Sequence, residues 1–192
     1  MFEDILTLDQ LADEPEEEID GFDPEADPFA GPPPVDDGKY LVKLTLNEKR
    51  PVEKKPRTDG LGNYFRIGVV AVIQDPGGKF DGRMLFDDAS TLPFGNSGST
   101  RVAGILKALN VKPLPSASGQ ALQLCKALEA GPAATVKTQW EVSYKEDDGS
   151  WKRIKGQKNF LKYPNGSPMP IYPCPNGEEK EARATIRIYE KA

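Results

Sequence analysis

Residues 134–163 constrain this chain most, because their alternation fits a long amphipathic strand, a tight turn and a return strand. Within 135–144, Val136, Trp140, Val142 and Tyr144 fall on one face and Lys137, Gln139, Glu141 and Ser143 on the other, as period-2 pleating requires. Asp147-Asp148-Gly149-Ser150 supplies the turn, since Asp-Gly tolerates the positive φ angles that short hairpin loops need. The return strand, read over 151–163, interleaves Lys152, Arg153, Lys155, Lys158 and Lys162 with Trp151, Phe160 and Tyr163. Cations beside stackable rings suit a polyanion that carries exposed bases. The competing reading puts the three rings in the core and leaves the lysines as an ordinary wet face. Trp140 sits on the apolar face and reads as core.

The charge distribution sharpens this. The chain has 192 residues, enough for one domain with a real core, and a formal net charge of −5. Residues 1–38 contain 14 Asp or Glu and no Lys or Arg, so the remaining 154 residues hold 16 acids against all 25 bases, a net of +9. An acidic arm is therefore attached to a basic body, and the whole-chain pI misleads about partners. The arm, 1–37, is rich in Pro and acids and is expected to be disordered, ahead of a domain spanning 38–192. Phe2, Ile5, Leu6 and Leu8 are its candidate partner-binding residues, set at a spacing that suits a short helix on another protein. A solubilising tail is the alternative.

Several function classes drop out. The chain has no histidine, which removes Ser-His-Asp and Cys-His nucleophilic sites, histidine acid–base catalysis and most zinc sites. Cys125 and Cys174 sit in unlike contexts and nothing in the sequence pairs them, so a reducing, cytoplasmic compartment is expected. No apolar run approaches the roughly 20 residues of a spanning helix, and the N-terminus is acidic where a secretory signal is basic. A soluble protein without cofactor or metal is the expectation.

Order is expected from Gly38, with a first strand carrying Tyr40, Val42, Leu44 and Leu46 on one face. Residues 48–63 read as a basic loop holding Lys54, Lys55 and Arg57. Residues 64–73 are nearly all β-branched or aromatic, as in a central strand, and Gly68 predicts a bend or bulge there. Residues 83–87 offer a third strand. Val102, Ile105, Leu106 and Leu109 recur at helical spacing behind a Ser99-Thr100 cap, and a second helix is expected over 118–130. A Pro- and Gly-rich loop over 164–181 and a closing strand over 182–189 follow the hairpin. This order does not alternate strand and helix, so it excludes a parallel α/β fold. It predicts a mainly β fold: an OB-like antiparallel barrel of five to six strands with two helices between strands three and four.

Gly38-x-Tyr40, the Phe80-Asp81-Gly82-Arg83 turn before Leu85-Phe86-Asp87, the helix over 101–109 and Gly156-Gln157-Lys158 together resemble small phage-encoded single-stranded DNA-binding proteins with an OB-type core. The likeness covers residues 38–189. Pro173-Cys174-Pro175-Asn176-Gly177 looks like the stump of a Cys-Pro-x-Cys-Gly knuckle with one cysteine left; if that family feature holds zinc, this chain has lost it.

The expected function is thus non-enzymatic, largely sequence-independent binding of single-stranded DNA, with RNA as the other candidate, in phage-like replication or recombination. Lys54, Lys55, Arg57, Arg66, Lys152, Arg153, Lys155, Lys158 and Lys162 would follow the backbone, while Trp151, Phe160 and Tyr163 stack. The arm would recruit replication or recombination proteins, and oligomers are open. A rival is an adaptor or inhibitor whose arm mimics nucleic acid. Gly95-Asn96-Ser97-Gly98-Ser99-Thr100 could cradle a phosphate but lacks a P-loop ending and reads as a plain loop with a helix cap. Asp87-Asp88 could hold a metal, but adjacent carboxylates point to opposite sides of a strand, so a strand end or turn is favoured.

Overall fold

The structure is a computed structural model that describes residues 35–60, 62–93, 98–164 and 169–192, all within the compact unit Pro33–Ala192. The arm up to residue 34, with Phe2, Ile5, Leu6 and Leu8, and the loop residues Gly95, Asn96 and Ser97 lie outside the described residues.

β1 (Lys39–Leu46) buries Val42 and Leu44 completely and turns Lys43 outward, so its alternation resolves into an inner and an outer face. β2 is Val52–Pro56, β3 is Asn63–Ile73 and β4 is Met84–Ser90. α1 (Arg101–Ala108) starts at Thr100, whose hydroxyl accepts the N–H of Ala103 at 2.9 Å. α2 (Ala117–Glu129) starts in the same way at Ser116. Each cap satisfies one of the orphan donors of a helix start. β5 (Ala133–Lys145), β6 (Trp151–Lys155), a 3-10 turn (Gln157–Asn159), β7 (Ile171–Pro173), β8 (Glu179–Glu181) and β9 (Arg183–Glu190) complete the chain.

All strand pairings among the described residues are antiparallel, and the fold is mainly β. β1 lies between β3 and β5, β4 flanks β3, and β9 flanks β5. β2 continues the line of β1 along β3, and β6 continues it along β5. β7 and β8 form a separate small hairpin. Inner residues Val42, Leu44, Ile67, Val69, Ala71, Ile73, Leu85 and Val136 meet Ile105, Leu106, Leu124 and Leu128 of the helices in one core. Burying each such aliphatic side chain contributes roughly 1.5–3 kcal/mol. α2 packs on β1 and β3, and α1 on β4 and β9.

The pairings make β4 and β9 run the same way, yet no ladder joins them, so the sheet is not closed into a barrel. Side chains span the seam instead. Arg101 donates to Asp87 of β4 and to the carbonyls of Ile186 and Arg187 of β9, at 2.5 and 2.7 Å for the carbonyls. Tyr189 donates to the same Asp87 at 2.9 Å, beneath the Arg101 guanidinium, whose carbon is 4.9 Å from the ring centre.

Four expectations are corrected. The basic segment 48–63 is not all loop: Val52-Glu53-Lys54-Lys55 pairs with β3, so the helices fall between the fourth and fifth strands. Residues 164–181 likewise include β7 and β8, which puts the strand count above five or six. Gly68 makes no bulge, since β3 stays in register with β4 through Gly68 and Asp88. A Cβ at Gly68 would meet the Arg50 carbonyl oxygen at 2.3 Å, so glycine is there for close approach at the point where β3 exchanges β1 for β2. Finally, the return strand ends at Lys155, because Gly156 takes φ +84° and the chain leaves into the 3-10 turn.

No helix among the described residues is long and apolar enough to cross a membrane.

Candidate nucleic-acid interface

β5 supplies the floor of the site. Its even positions Ala134, Val136, Thr138, Trp140, Val142 and Tyr144 are buried, which forces Gln139, Glu141, Ser143 and Lys145 onto the other face. Trp140 is held there from two sides: its indole N–H donates to the Val35 carbonyl at 2.9 Å and its ring meets Phe160 edge-on at 5.7 Å. The turn after β5 places Gly149 at φ +82°, with its N–H on the Glu146 carbonyl and Glu146 N–H on the Ser150 carbonyl, both at 2.8 Å. A single left-handed glycine in this loop starts β6 opposite Lys145. Arg153 then faces Ser143, and Lys155 faces Glu141.

The outer faces of β4, β5, β6 and β9, with residues 47–50 at one side and 178–182 at another, enclose a cleft of about 1730 Å³. That exceeds the roughly 300–1,000 Å³ of small-molecule pockets and suits an extended polymer. Its lining contains eleven Lys or Arg against six Asp or Glu. Some cations are already engaged: Arg101 with Asp87 at 2.8 Å, Arg66 with Asp88 at 2.5 Å, and Arg153 and Lys155 both with Glu141 at 3.8 and 3.5 Å. Arg50, Arg183, Arg187, Lys49 and Lys145 form no ion pair among the described residues, although, after the hydrogen bond from Lys55, the charge of Arg50 helps to lower the Glu53 pKa. Such charges are available to phosphate at no cost in broken ion pairs. Two large rings stand exposed over the cleft, Trp151 at 70 % and Phe86 at 61 %, with Met84 beside Phe86 on β4.

Of the residues singled out in the sequence, the structure brings Arg66, Trp151, Arg153 and Lys155 to this cleft. Lys54, Lys55 and Arg57 lie outside its lining; Lys55 pairs with Glu53 at 3.0 Å and Arg57 with Asp59. Lys152 points the other way, opposite buried Tyr144, with Glu146 at 3.5 Å. Lys158, Lys162 and Tyr163 follow the strand's end at Gly156 and also lie outside the lining. Phe160 is corrected outright: it is buried, with its ring edge-on to Trp140 and to Tyr172 at 5.2 Å, so no face is left for a base. The sequence reading placed Arg50 only in the basic loop over 48–63 and did not single out Lys145, Arg183, Arg187 or Phe86. Alternation in β9 and β4 carries part of that signal, since Arg183, Thr185 and Arg187 repeat every second residue, as do Met84 and Phe86.

The other constellations are structural. Asp87 and Asp88 are occupied by Arg101 with Tyr189 and by Arg66, and no group of three metal-ligating side chains exists among the described residues. Burial, then the charge of Asp87, pushes the Tyr189 hydroxyl well above its ordinary pKa of 10.0. Part of the Tyr189 side chain still reaches solvent, while its hydroxyl is hydrogen-bonded to Asp87. Cys174 is buried with Trp140, Val142, Tyr144, Phe160 and Ala182 in a second apolar cluster, and burial raises its thiol pKa. It is a free thiol, as is Cys125.

No family model matches this chain, and neither a curated protein nor a solved structure matches it.

Proposed function

We propose that this protein binds single-stranded DNA through the cleft, without reading base sequence and without catalysis, in phage-like replication or recombination in the cytoplasm of a host cell. The observation that carries the reading is the conjunction of Arg50, Arg183 and Arg187, which form no ion pair among the described residues, with exposed Trp151 and Phe86 in one groove. Cations release counterions from the backbone and rings stack on any base, so the combination favours affinity over sequence choice. An OB-type body accounts for the setting. The meander β1, β3 and β4, the inserted helices, and β5 with β9 returning beside β1 and β4 follow the strand order of that fold, with Arg101 spanning its last seam. In OB folds oligonucleotides bind across one sheet face between two flanking loops, and residues 47–50 and 178–182 at the sides of this cleft support that comparison.

Titrating the protein with oligo-dT at about 50 and 200 mM salt tests the reading. Fluorescence should be quenched at Trp151, in the cleft, and not at Trp140, which is 3 % exposed. The Trp151→Phe variant should therefore lose the signal while Trp140→Phe keeps it. Affinity should fall steeply with salt. Quenching that ignores salt, or no binding at either concentration, sinks the proposal; competition with an RNA of equal length decides between DNA and RNA.

A further inference from the structure

β4 is an ordinary strand in its inner half and an unusual one in its outer half. Leu85 and Ala89 point into the core, at 3 and 0 % exposure, whereas Met84 and Phe86 stand out at 59 and 61 %. Exposed single apolar residues need no explanation, but two neighbours on one strand face, inside a cationic cleft, do. The register sets Phe86 opposite Val70 and Met84 opposite Val72, so an apolar strip spans β4 and β3 there and ends at Lys43 and Thr45 of β1. Its borders are charged: the Arg66 and Asp88 pair lies two residues along β4, and Arg183 and Arg187 line the same cleft from β9. Trp151 stands on β6, at the far wall.

We infer that Phe86, extended by Met84, is the principal base-stacking platform of this cleft, and that it makes the site selective for unpaired bases over duplex. The inference rests on the proposed function and adds to it which wall grips the bases. A base needs an accessible ring face, which a duplex keeps stacked inside; backbone cations alone accept either form. Trp151 on β6 is the second platform, and the strand lies between the two walls with its phosphates toward Arg50, Arg183 and Arg187. A purely apolar protein segment fits the strip less well, because it would desolvate those arginines without supplying anions.

The test compares Phe86→Ala, Phe86→Trp and Arg50→Ala in the full chain, measuring affinity for oligo-dT and for a duplex of equal length. Phe86→Ala should weaken oligo-dT binding by about 5- to 160-fold, the worth of one stack. Its dependence on salt should stay unchanged, and Phe86→Trp should restore the affinity. Arg50→Ala should weaken single strand and duplex alike and reduce the salt slope by about 0.7. Because Phe86 is exposed, its variants should melt with the wild type. If the wild type binds oligo-dT but Phe86→Ala and Met84→Ala bind it equally well, the inference falls while the proposed function stands, and the strip is left as a protein contact. Equal losses for single strand and duplex in Phe86→Ala also overturn it. If the wild type binds no nucleic acid, both fall.

Discussion

The two halves of β5 carry the same alternation and serve different ends. Residues 133–137 are flanked by β1 and β9, and their inward Ala134 and Val136 meet the helices in the main core. Outward Lys137 is held there by Glu190 at 2.7 Å, and the Glu190 carboxylate, shared with Lys39, is held below its usual pKa. Residues 141–145 are flanked by β6, and their inward Val142 and Tyr144 meet Phe160, Cys174 and Ala182 in a small cluster. Outward Glu141, Ser143 and Lys145 become the cleft floor. The first half holds the body together, and the second shapes a surface. What covers a strand face, and not its pattern, assigns the task.

The largest expected effect lies where β9 is tied to the body. Arg101→Met removes the guanidinium from Asp87 and from two carbonyls of β9, leaving a carboxylate that is only 18 % exposed. It should cost about 2–3 kcal/mol in urea unfolding, and a loss below about 0.5 would mean that the seam is held by other contacts. Next come two identical deletions at opposite ends of the strand. Val136→Ala, in the body, should cost about 2 kcal/mol, whereas Val142→Ala, in the smaller cluster that can collapse around the gap, should cost about 1. A reversed ranking would make the small cluster the stronger of the two.

A pH effect follows at the seam. The Tyr189 hydroxyl has a folded-state pKa raised above its ordinary 10.0, so the unfolded chain loses this proton first as the pH rises. Its contribution is fully present below pH 10.0 and is lost as the pH climbs toward the folded pKa. Stability measured across that window should fall less steeply in Tyr189→Phe than in the wild type; parallel curves would remove Tyr189 as the cause. The smallest expected change is at the cleft floor. Glu141→Gln releases Arg153 and Lys155, which should alter stability by less than about 1 kcal/mol and strengthen oligo-dT binding a few-fold at low salt. Weaker binding would show that Glu141 positions those cations for the ligand.

Much of the body was legible. Val136, Trp140, Val142 and Tyr144 alternate with polar residues and are buried as read, and both helices fall within a residue or so of their expected bounds. The cleft was legible only in part. Trp151, Arg153 and Lys155 share its wall because they alternate in one strand, but Phe160 and Lys158 were read on the same strand and are not. One residue, Gly156 at φ +84°, ends the pattern, and glycine in a basic run does not announce that conformation.

The sequence by itself determined the long strands of the body, the two helices, their inner faces and the separation of an acidic first 38 residues from a basic remainder, because periodicity and charge are local properties of the chain. Only the tertiary structure decided that Arg50, Phe86 and Arg187, far apart in sequence, share a groove with Trp151. It alone decided that Lys54 and Lys55 do not, and that Arg101 spans β4 and β9 where no ladder forms. Those outcomes depend on which outer faces adjoin and which cations find carboxylates, and both are set by the curvature and register of the sheet as a whole.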